Sequence, residues 1–417
     1  MHRGSRPFLH SGPTPREEAY AGYAQAPSGL FRRARSLPVF LMKLLSIEPT
    51  PNPNSMKLNL DESLPQGVAT TYRPEGKSHY PPVIQQLLSI PGIQSLYHAR
   101  DFLAVQRVPS APWETLLALV REVLGGEAAP LAPPGERPQG EHWGEVRIAV
   151  QHFRRIPMLV KVSNLENESR VALPGRFGDA VARAASASPN MLLERRWLPQ
   201  APRYGELQPV GEEVAAELDA AYDPARLESL VRQAFESVGD VPEARQKPTL
   251  DALVTLLENP DWKRRYAGLE ATGADPAGFD QLVRAMRDPH ASVRRIATVL
   301  VGLVGTPKAL EPLCGALKDP AVAVRRCAGD ALNDLGDPAA LPAMEAALAD
   351  PNKLVRWRAA RFLFEQGGRD NLPALSKAQN DPEFEVRMQV RQAVERIEGG
   401  QAAQGPIWMR MTQKQPD

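Results

Sequence analysis

Four heptapeptides in the C-terminal third of the chain decide its fold: DPHASVR (288–294), DPAVAVR (319–325), DPNKLVR (350–356) and DPEFEVR (381–387). Each begins with Asp-Pro, ends with Val-Arg and follows the previous one at a spacing of 31 residues. A shorter copy precedes them, with Asn259, Pro260 and Arg265. Self-similarity at a fixed spacing of roughly 20–50 residues is typical of solenoids, whose helical units stack on their neighbours.

The pattern within one repeat predicts two helices. Leu310, Leu313 and Leu317 lie at helical spacing and form the apolar stripe of the first helix. Asp319 is predicted to cap the second helix, with Pro320 at its first position, where a missing backbone N–H is harmless. The apolar stripe of the second helix consists of Val324, Ala328, Leu332 and Leu335.

These units resemble HEAT repeats of the short Asp-Pro type, which also occur in phycobilin-lyase-like proteins. We expect about five copies, because the pattern extends over residues 249–400. Neither helix of a repeat can bury its stripe alone, so the resemblance implies an α-solenoid of stacked pairs. Polar residues such as Gln392, Glu395 and Arg396 are expected to cap its last helix, and 401–417 form a tail.

The Asp and Arg residues that recur in register predict a structural ladder. Stacking brings each Asp near the Arg of its own or the adjacent repeat, where a bidentate charge-assisted hydrogen bond can form. Anion binding is the alternative role of these arginines, and the ladder is favoured because every copy holds both partners. The ladder residues are Asp288, Arg294, Asp319, Arg325, Asp350, Arg356, Asp381 and Arg387.

The position after each ladder arginine lies off the apolar stripe, so we expect its side chain to face outward. Arg, Trp and Met are the residue types enriched at protein interfaces, which makes this strip a candidate partner surface. A solvated helix face with one packed Trp is an alternative interpretation, and nucleic-acid binding is another. This Arg/Trp strip consists of Arg295, Arg326, Trp357, Arg358, Arg361 and Met388.

Residues 42–126 predict a small α+β domain with a rigid loop. Strands are expected at 43–47 and 56–60, and the loop between them holds three prolines, which fix φ, and two asparagines, which can bond their own backbone. The loop is either a preformed recognition surface or a connection that organises its own domain. Its candidate residues are Pro49, Pro51, Asn52, Pro53 and Asn54.

The same domain predicts a helix at 80–90, a hairpin of strands at 93–97 and 102–108, and a helix at 113–124. Its runs IEPTPNPNSMK (47–57), LLSIPGIQSL (87–96) and DFLAV (101–105) resemble the N-terminal domain of Nfu-type iron–sulfur scaffold proteins. That family carries its cluster on a separate Cys-x-x-Cys domain, and this sequence has no Cys-x-x-Cys. The resemblance implies contact with iron–sulfur machinery through a partner.

A Pro-rich linker at 127–140 leads to a second small α+β unit at 141–240. Strands are predicted at 145–152 and 158–162, and helices at 177–185, 210–221 and 226–238. The order of Nfu-like unit, FRRIPM segment (153–158) and C-terminal repeats resembles the bacterial conserved virulence factor C family. The arginine-rich stretch 1–41 shows no periodicity, and we expect a disordered or non-native extension there.

The composition excludes several classes of protein. Hydrophobic residues make up 43% and charged residues 24%, as in globular domains. A net charge of +1 argues against a strongly positive electrostatic potential that would attract nucleic acid or an anionic membrane to the whole protein. The two cysteines, Cys314 and Cys327, exclude a disulfide scaffold and a zinc ribbon within one chain. No apolar run reaches about 18 residues, so we expect a cytoplasmic protein without a membrane span.

Motifs for chemistry are missing from the sequence. It has no phosphate-binding glycine loop, no paired His motif and no nucleophile elbow. Glu166 and Glu168 lie in a predicted polar turn and are expected to be solvated. We therefore expect a multidomain α+β and all-α protein that acts as a non-enzymatic scaffold for proteins, iron–sulfur assembly factors or clients among them, with no cofactor of its own. The alternatives are a phycobilin-lyase-type enzyme and a nucleic-acid-binding HEAT protein.

Overall fold

A computed structural model describes residues 42–50, 52–65, 68–125, 144–164, 167–236 and 247–402. The predictions for 1–41, the linker at 127–140, Pro51, Glu166 and most of the tail lie outside these ranges. The described chain contains two antiparallel sheets with their helices and a C-terminal helical repeat region. The predicted fold class, α+β units followed by an all-α solenoid, is confirmed.

The N-terminal domain is a five-stranded antiparallel sheet with two helices on one face. Leu58, Leu96 and Leu103 point from the central strands towards Leu117 and Trp113 and are fully buried. The strand order is β1-β2-β5-β4-β3. The strands are β1 Leu44–Pro49, β2 Ser55–Leu60, β3 Ala69–Tyr72, β4 Ile93–Ala99 and β5 Phe102–Arg107, and the helices are α1 Pro82–Leu87 and α2 Trp113–Leu124.

Two details of this domain differ from the sequence prediction. The first helix ends at Leu87 rather than at 90, since the chain turns towards Gly92, whose φ of +96° favours glycine. Strand β3 was not predicted. It has four residues, ATTY, and three of them leave their side chains exposed or half-buried, so no apolar alternation marks it.

The middle unit is a four-stranded antiparallel sheet in the order β8-β7-β6-β9. Helix α5 packs on it through Val210 and Val214, and Gly211 permits the close approach, because a Cβ there would lie 2.7 Å from Val171. The sequence predicted the first two strands and three helices, but missed β8 and β9. The elements are β6 Glu145–Phe153, β7 Ile156–Ser163, β8 Glu168–Ala172, α3 Gly175–Ala185, α4 Met191–Glu194, β9 Arg196–Tyr204, α5 Leu207–Ala221 and α6 Pro224–Glu236.

Within the described range 247–402, the solenoid has five helix pairs, in line with the about five copies expected from the repeat pattern. Each pair buries its stripes against the next pair, for example through Leu313, Ala328 and Leu332. The pairs are α7 Leu250–Leu257 and α8 Trp262–Thr272, α9 Phe279–Ala285 and α10 Ala291–Val304, α11 Leu310–Ala316 and α12 Val322–Leu335, α13 Leu341–Ala347 and α14 Lys353–Gln366, and α15 Leu372–Ala378 and α16 Phe384–Glu398.

Each ladder arginine except Arg387 reaches the aspartate of the following repeat. Arg294 donates from Nε and Nη2 to the two carboxylate oxygens of Asp319, at 2.7 and 3.0 Å. Its Nη1 donates to the carbonyl oxygens of Asp288 and Pro289, at 2.8 and 3.0 Å. Each guanidinium therefore joins its own loop to the next one. The same geometry recurs in the pairs Arg265–Asp288, Arg325–Asp350 and Arg356–Asp381.

The predicted capping role of the ladder aspartates is wrong. The second helix of the third repeat begins at Val322, with Ala321 as the N-cap, and Asp319 lies two residues earlier. Asp319 Oδ1 accepts a hydrogen bond from the backbone N–H of Ala321 at 2.7 Å, which forms a local turn before the helix. Asp319 precedes the N-cap position by two residues, and its carboxylate bonds this turn and Arg294 instead of the first helical turn.

Replacing Arg294 with Ala tests the ladder. The change leaves the buried Asp319 without its guanidinium, and removal of one partner of a buried pair costs about 3–5 kcal/mol. We expect a loss of this size in the free energy of unfolding measured with denaturant. The control is Arg391→Ala, on an exposed position of α16, which should change stability by less than about 0.5 kcal/mol. Equal effects of the two changes would contradict the ladder.

His98 on β4 makes the stability of the N-terminal domain depend on pH. The side chain is buried, neither ring nitrogen has a hydrogen-bond partner, and burial lowers the pKa of His98. The unfolded chain therefore binds the proton more readily, so the free energy of unfolding should fall as the pH drops below about 6.5. His98→Phe should flatten this dependence in unfolding measured at several pH values. His79→Gln, on an exposed position, should not.

Junctions between the units as candidate interaction surface

The end of the Pro/Asn loop of the N-terminal domain, Pro53 and Asn54, is buried. The carbonyl of Pro53 accepts a hydrogen bond from Trp113 Nε1 at 2.8 Å, and Asn54 Oδ1 accepts one from Arg107 Nε at 3.3 Å. Asn52 Oδ1 accepts from the N–H of Asn54 at 2.8 Å and shapes the turn. Of the two roles left open by the sequence, these contacts support a loop that organises its own domain.

The loop also leads to the solenoid through a buried ion pair. Arg107 Nη2 lies 2.6 Å from Glu385 Oε1 of α16, and the two side chains are 0% and 1% exposed. The guanidinium of Arg107 also stacks on the indole of Trp113, 4.9 Å from the ring centroid. One arginine thus joins the loop, helix α2 and the last solenoid helix.

The ladder continues into the N-terminal domain. Arg387 follows the last repeat aspartate. Its Nη1 donates to the carbonyls of Asp381 and Pro382, as the Nη1 of each other ladder arginine does in its own loop. Its Nη2 donates to Glu114 Oε1 of α2 at 3.2 Å. Glu114 therefore takes the place that the aspartate of a further repeat would occupy.

The expected polar cap of the last helix needs correction. Phe384 is buried in the core of the N-terminal domain, and Gln392 donates to the carbonyl of Ile47 on β1 at 3.0 Å. Arg396 is itself buried and donates to the carbonyl of Gly367. A folded domain, rather than polar side chains facing water, covers this end of the solenoid.

The expected exposure of the Arg/Trp strip is also wrong. Arg295 donates from Nη2 to Glu217 Oε1 of α5 at 2.6 Å, and Arg203 of β9 pairs with the same carboxylate. Tyr266 Oη adds a third donor at 3.1 Å. Burial alone would raise the pKa of Glu217, but the charges of Arg295 and Arg203 outweigh it and hold the pKa below its usual range.

The remaining strip residues also have partners within the chain. Arg326 Nη1 donates to the carbonyl of Tyr204 at 2.7 Å, and Arg358 lies over the same tyrosine ring and pairs with Asp330. Trp357 is 3% exposed. The other two members are half-buried: Arg361 bonds Glu365 of its own helix, and Met388 packs on the N-terminal domain. Contacts within the chain, rather than an external partner, therefore cover most of the strip.

The sequence did not identify the acceptors of these arginines. Glu217 and Tyr204 belong to the middle unit, and Glu114 and Glu385 to the junction of the N-terminal domain with α16. Glu114 and Glu217 lie on amphipathic helices, where a glutamate is ordinarily solvated. A partial signal was present in the sequence of α5. Val210, Val214 and Leu218 define the apolar face of this helix, and Glu217 lies beside that face rather than in the middle of the polar side.

Neither cysteine forms a disulfide, and both are half-buried. Burial raises the pKa of both thiols, Cys314 and Cys327. Over the described ranges, no group of three or more His, Cys, Asp or Glu side chains could hold a metal ion. Within those same ranges, no helix is both long and apolar enough to cross a membrane.

Family models match each of the three units. A model described as "Scaffold protein Nfu/NifU N terminal" matches residues 45–129, one described as "Virulence factor" matches 151–231, and one described as "HEAT repeats" matches 279–363. Conserved virulence factor C of Staphylococcus aureus (strain MRSA252) is 44% identical over 381 residues, which cover 89% of this chain and 100% of that protein. The chain belongs to the conserved virulence factor C family.

Other relatives and solved structures resemble the chain as well. The uncharacterized protein YpgR of Bacillus subtilis (strain 168) is 50% identical over 372 residues, 89% of this chain and 98% of that protein. Protein SAV1430 from Staphylococcus aureus is 37% identical and covers 20% of this chain and 98% of its own, with a TM-score of 0.19. The CpcE–CpcF complex of phycocyanin lyase from Nostoc sp. PCC7120 is 22% identical over 42% of this chain and 73% of that chain, with a TM-score of 0.32.

This member of the conserved virulence factor C family combines matches to three family models in one chain. The Nfu N-terminal and HEAT repeat matches support a protein-interaction scaffold in general terms. In this member, the junctions described above pack the N-terminal domain on the last repeat, and the middle unit on the first repeats.

Replacing Glu385 with Ala tests the junction of the family's N-terminal domain and solenoid. The fully buried Arg107 would lose its counter-charge, and we expect the free energy of unfolding to fall by about 3–5 kcal/mol. Fluorescence of Trp113, which stacks on Arg107, should report the change. Glu398→Ala, on an exposed position of the same helix, is the control. A junction variant as stable as this control would show that the ion pair does not hold the units together.

Proposed function

We propose that this protein is a non-enzymatic adaptor that holds its N-terminal domain in a fixed position on a HEAT solenoid for recognition by a protein partner. The observation that carries the proposal is the end of the ladder, where Arg387 of the last repeat pairs with Glu114 of the N-terminal domain. A solenoid whose stacking geometry extends into a second domain fixes the orientation of that domain. Such fixation lowers the entropy that partner binding would otherwise cost.

The partner surface that fits this role is the open face of the five-stranded sheet. The helices α1 and α2 and the solenoid lie on the other side of the domain, where Leu58, Leu103 and Arg107 are buried. One cross-strand row on the open face runs through all five strands, in register from β1 to β3. Its residues are Glu48, Lys57, Ala104, Tyr97 and Thr71.

Aromatic side chains give this face its recognition chemistry. Tyr97 and Phe102 lie on the two neighbouring strands β4 and β5, with ring centroids 6.2 Å apart. Lys57 lies over the ring of Phe102 at 5.3 Å and pairs with Glu48 at 3.3 Å. Aromatic rings are enriched at the centre of a protein interface, and charged side chains such as Lys57 and Glu48 fit its polar rim.

The identity of the partner is the finer part of the proposal. The Nfu-like N-terminal domain supports a partner that belongs to iron–sulfur assembly or that contains such a cluster. The chain would bring this partner to its site by binding, and any cluster would stay on the partner. Enzymatic and nucleic-acid-binding alternatives are outcomes of the test below.

Affinity capture of the form spanning 42–417, with mass spectrometry and metal analysis of the same anaerobic sample, tests the proposal. We expect a colourless protein that captures a defined protein, and Phe102→Ser should reduce capture about tenfold, as for an interface hot spot. Leu303→Ser, on an exposed apolar position of α10, should not. Stoichiometric iron or tetrapyrrole bound to the chain itself would contradict the proposal, and so would capture of nucleic acid in place of protein.

A further inference from the structure

Arg154 joins three segments at one end of the middle unit. It lies in the turn between β6 and β7, and its Nε donates to Glu194 Oε2 of α4 at 2.7 Å. Its Nη1 donates to the carbonyl of Ala234 near the end of α6. The turn, the short helix α4 and the C-terminal turn of α6 therefore meet at a single guanidinium.

The turn itself has an unusual backbone. Arg154 and Arg155 have φ angles of +42° and +67°, where two-residue hairpin turns usually carry Asn or Gly. The bonds of Arg154 account for its own conformation. Arg155 is half-buried, and it makes no hydrogen bond or ion pair with another described residue. Sparsely populated backbone conformations of this kind are concentrated at functional sites.

Large apolar side chains project from the two segments beside this turn. Leu192 and Leu193 of α4 are 70% and 82% exposed, and Phe235 of α6 is 59% exposed. Met191 of α4 packs on the core of the unit. Scattered exposed leucines are ordinary, but here three lie next to residues bonded by one arginine. Exposures this high describe a projecting tip rather than a groove.

The charge around the tip is positive although the whole chain is nearly neutral. The segments 153–156, 191–196 and 232–236 contain five arginines and two glutamates, a net charge of +3. Glu194 is already held by Arg154. Glu236 is the other carboxylate. The arginines are Arg154, Arg155, Arg195, Arg196 and Arg232.

We propose that this tip, formed by Leu192, Leu193, Phe235 and the surrounding arginines, docks the protein on an anionic phospholipid surface. Exposed leucine and phenylalanine side chains can enter the boundary between headgroups and acyl chains, and basic side chains beside them bind anionic headgroups. A helical or proline-rich peptide partner would instead need a groove to receive its side chains. The tip is separate from the open sheet face, so the two proposals can fail independently.

Co-sedimentation of the full chain with vesicles tests the tip. We expect binding to vesicles that contain phosphatidylglycerol and much weaker binding to pure phosphatidylcholine. The double variant Leu192→Ser and Leu193→Ser should bind about tenfold less, because both side chains lose their insertion into the interface. Leu303→Ser and Leu250→Ser, at exposed apolar positions of the solenoid, are the matched controls and should bind like the unchanged protein.

Charge variants separate the electrostatic part of the binding. Arg155→Gln with Arg232→Gln should lower binding to the anionic vesicles by at least about fivefold and reduce its sensitivity to salt. No binding to anionic vesicles at excess lipid would overturn the proposal, as would equal loss in the tip variants and the solenoid controls. Self-association of the soluble protein that the double variant abolishes, with vesicle binding unchanged, would assign the tip to a second copy and would also overturn it.

Discussion

The structure depends on one recurring interaction, the bidentate ion pair between an arginine of one repeat and the aspartate of the next. Four such pairs stack along the solenoid, from Arg265 to Asp381. Each guanidinium also bonds two carbonyls of its own loop, so four of its five N–H donors are held by fixed acceptors. The ion pairs therefore hold neighbouring repeats in a single relative orientation, in which the apolar stripes of their helices meet in register.

The end of the ladder shows how a solenoid can be closed without a dedicated capping repeat. Arg387 has no following aspartate, and Glu114 supplies the carboxylate from a domain that lies far away in the sequence. The apolar face of α16 is covered by the same domain through Phe384 and Met388. Terminal repeats generally need such cover, because their outer faces would otherwise expose apolar surface.

Internal pairing also explains the even charge balance of the chain. Arginines that looked like a free strip on the solenoid are bound by Glu217 and by the backbone of Tyr204 from the middle unit. Buried arginines need carboxylates or carbonyls nearby, so basic and acidic residues accumulate together. The surfaces left for partners are consequently elsewhere: the open sheet face around Tyr97 and Phe102, and the tip around Leu193.

The sequence alone determined the repeats, their spacing and the three units, because periodic apolar residues and Asp-Pro turns are local signals. It also identified the ladder residues, since each copy repeats both partners. Tertiary structure decided which carboxylate each arginine meets and which face of the second helices is buried. Arg295 and Glu217 lie on separate units. A local sequence pattern cannot predict how one folded surface packs on another. Strands β3, β8 and β9 escaped prediction for a related reason: their pairing with neighbours, rather than an apolar alternation of their own, makes them strands.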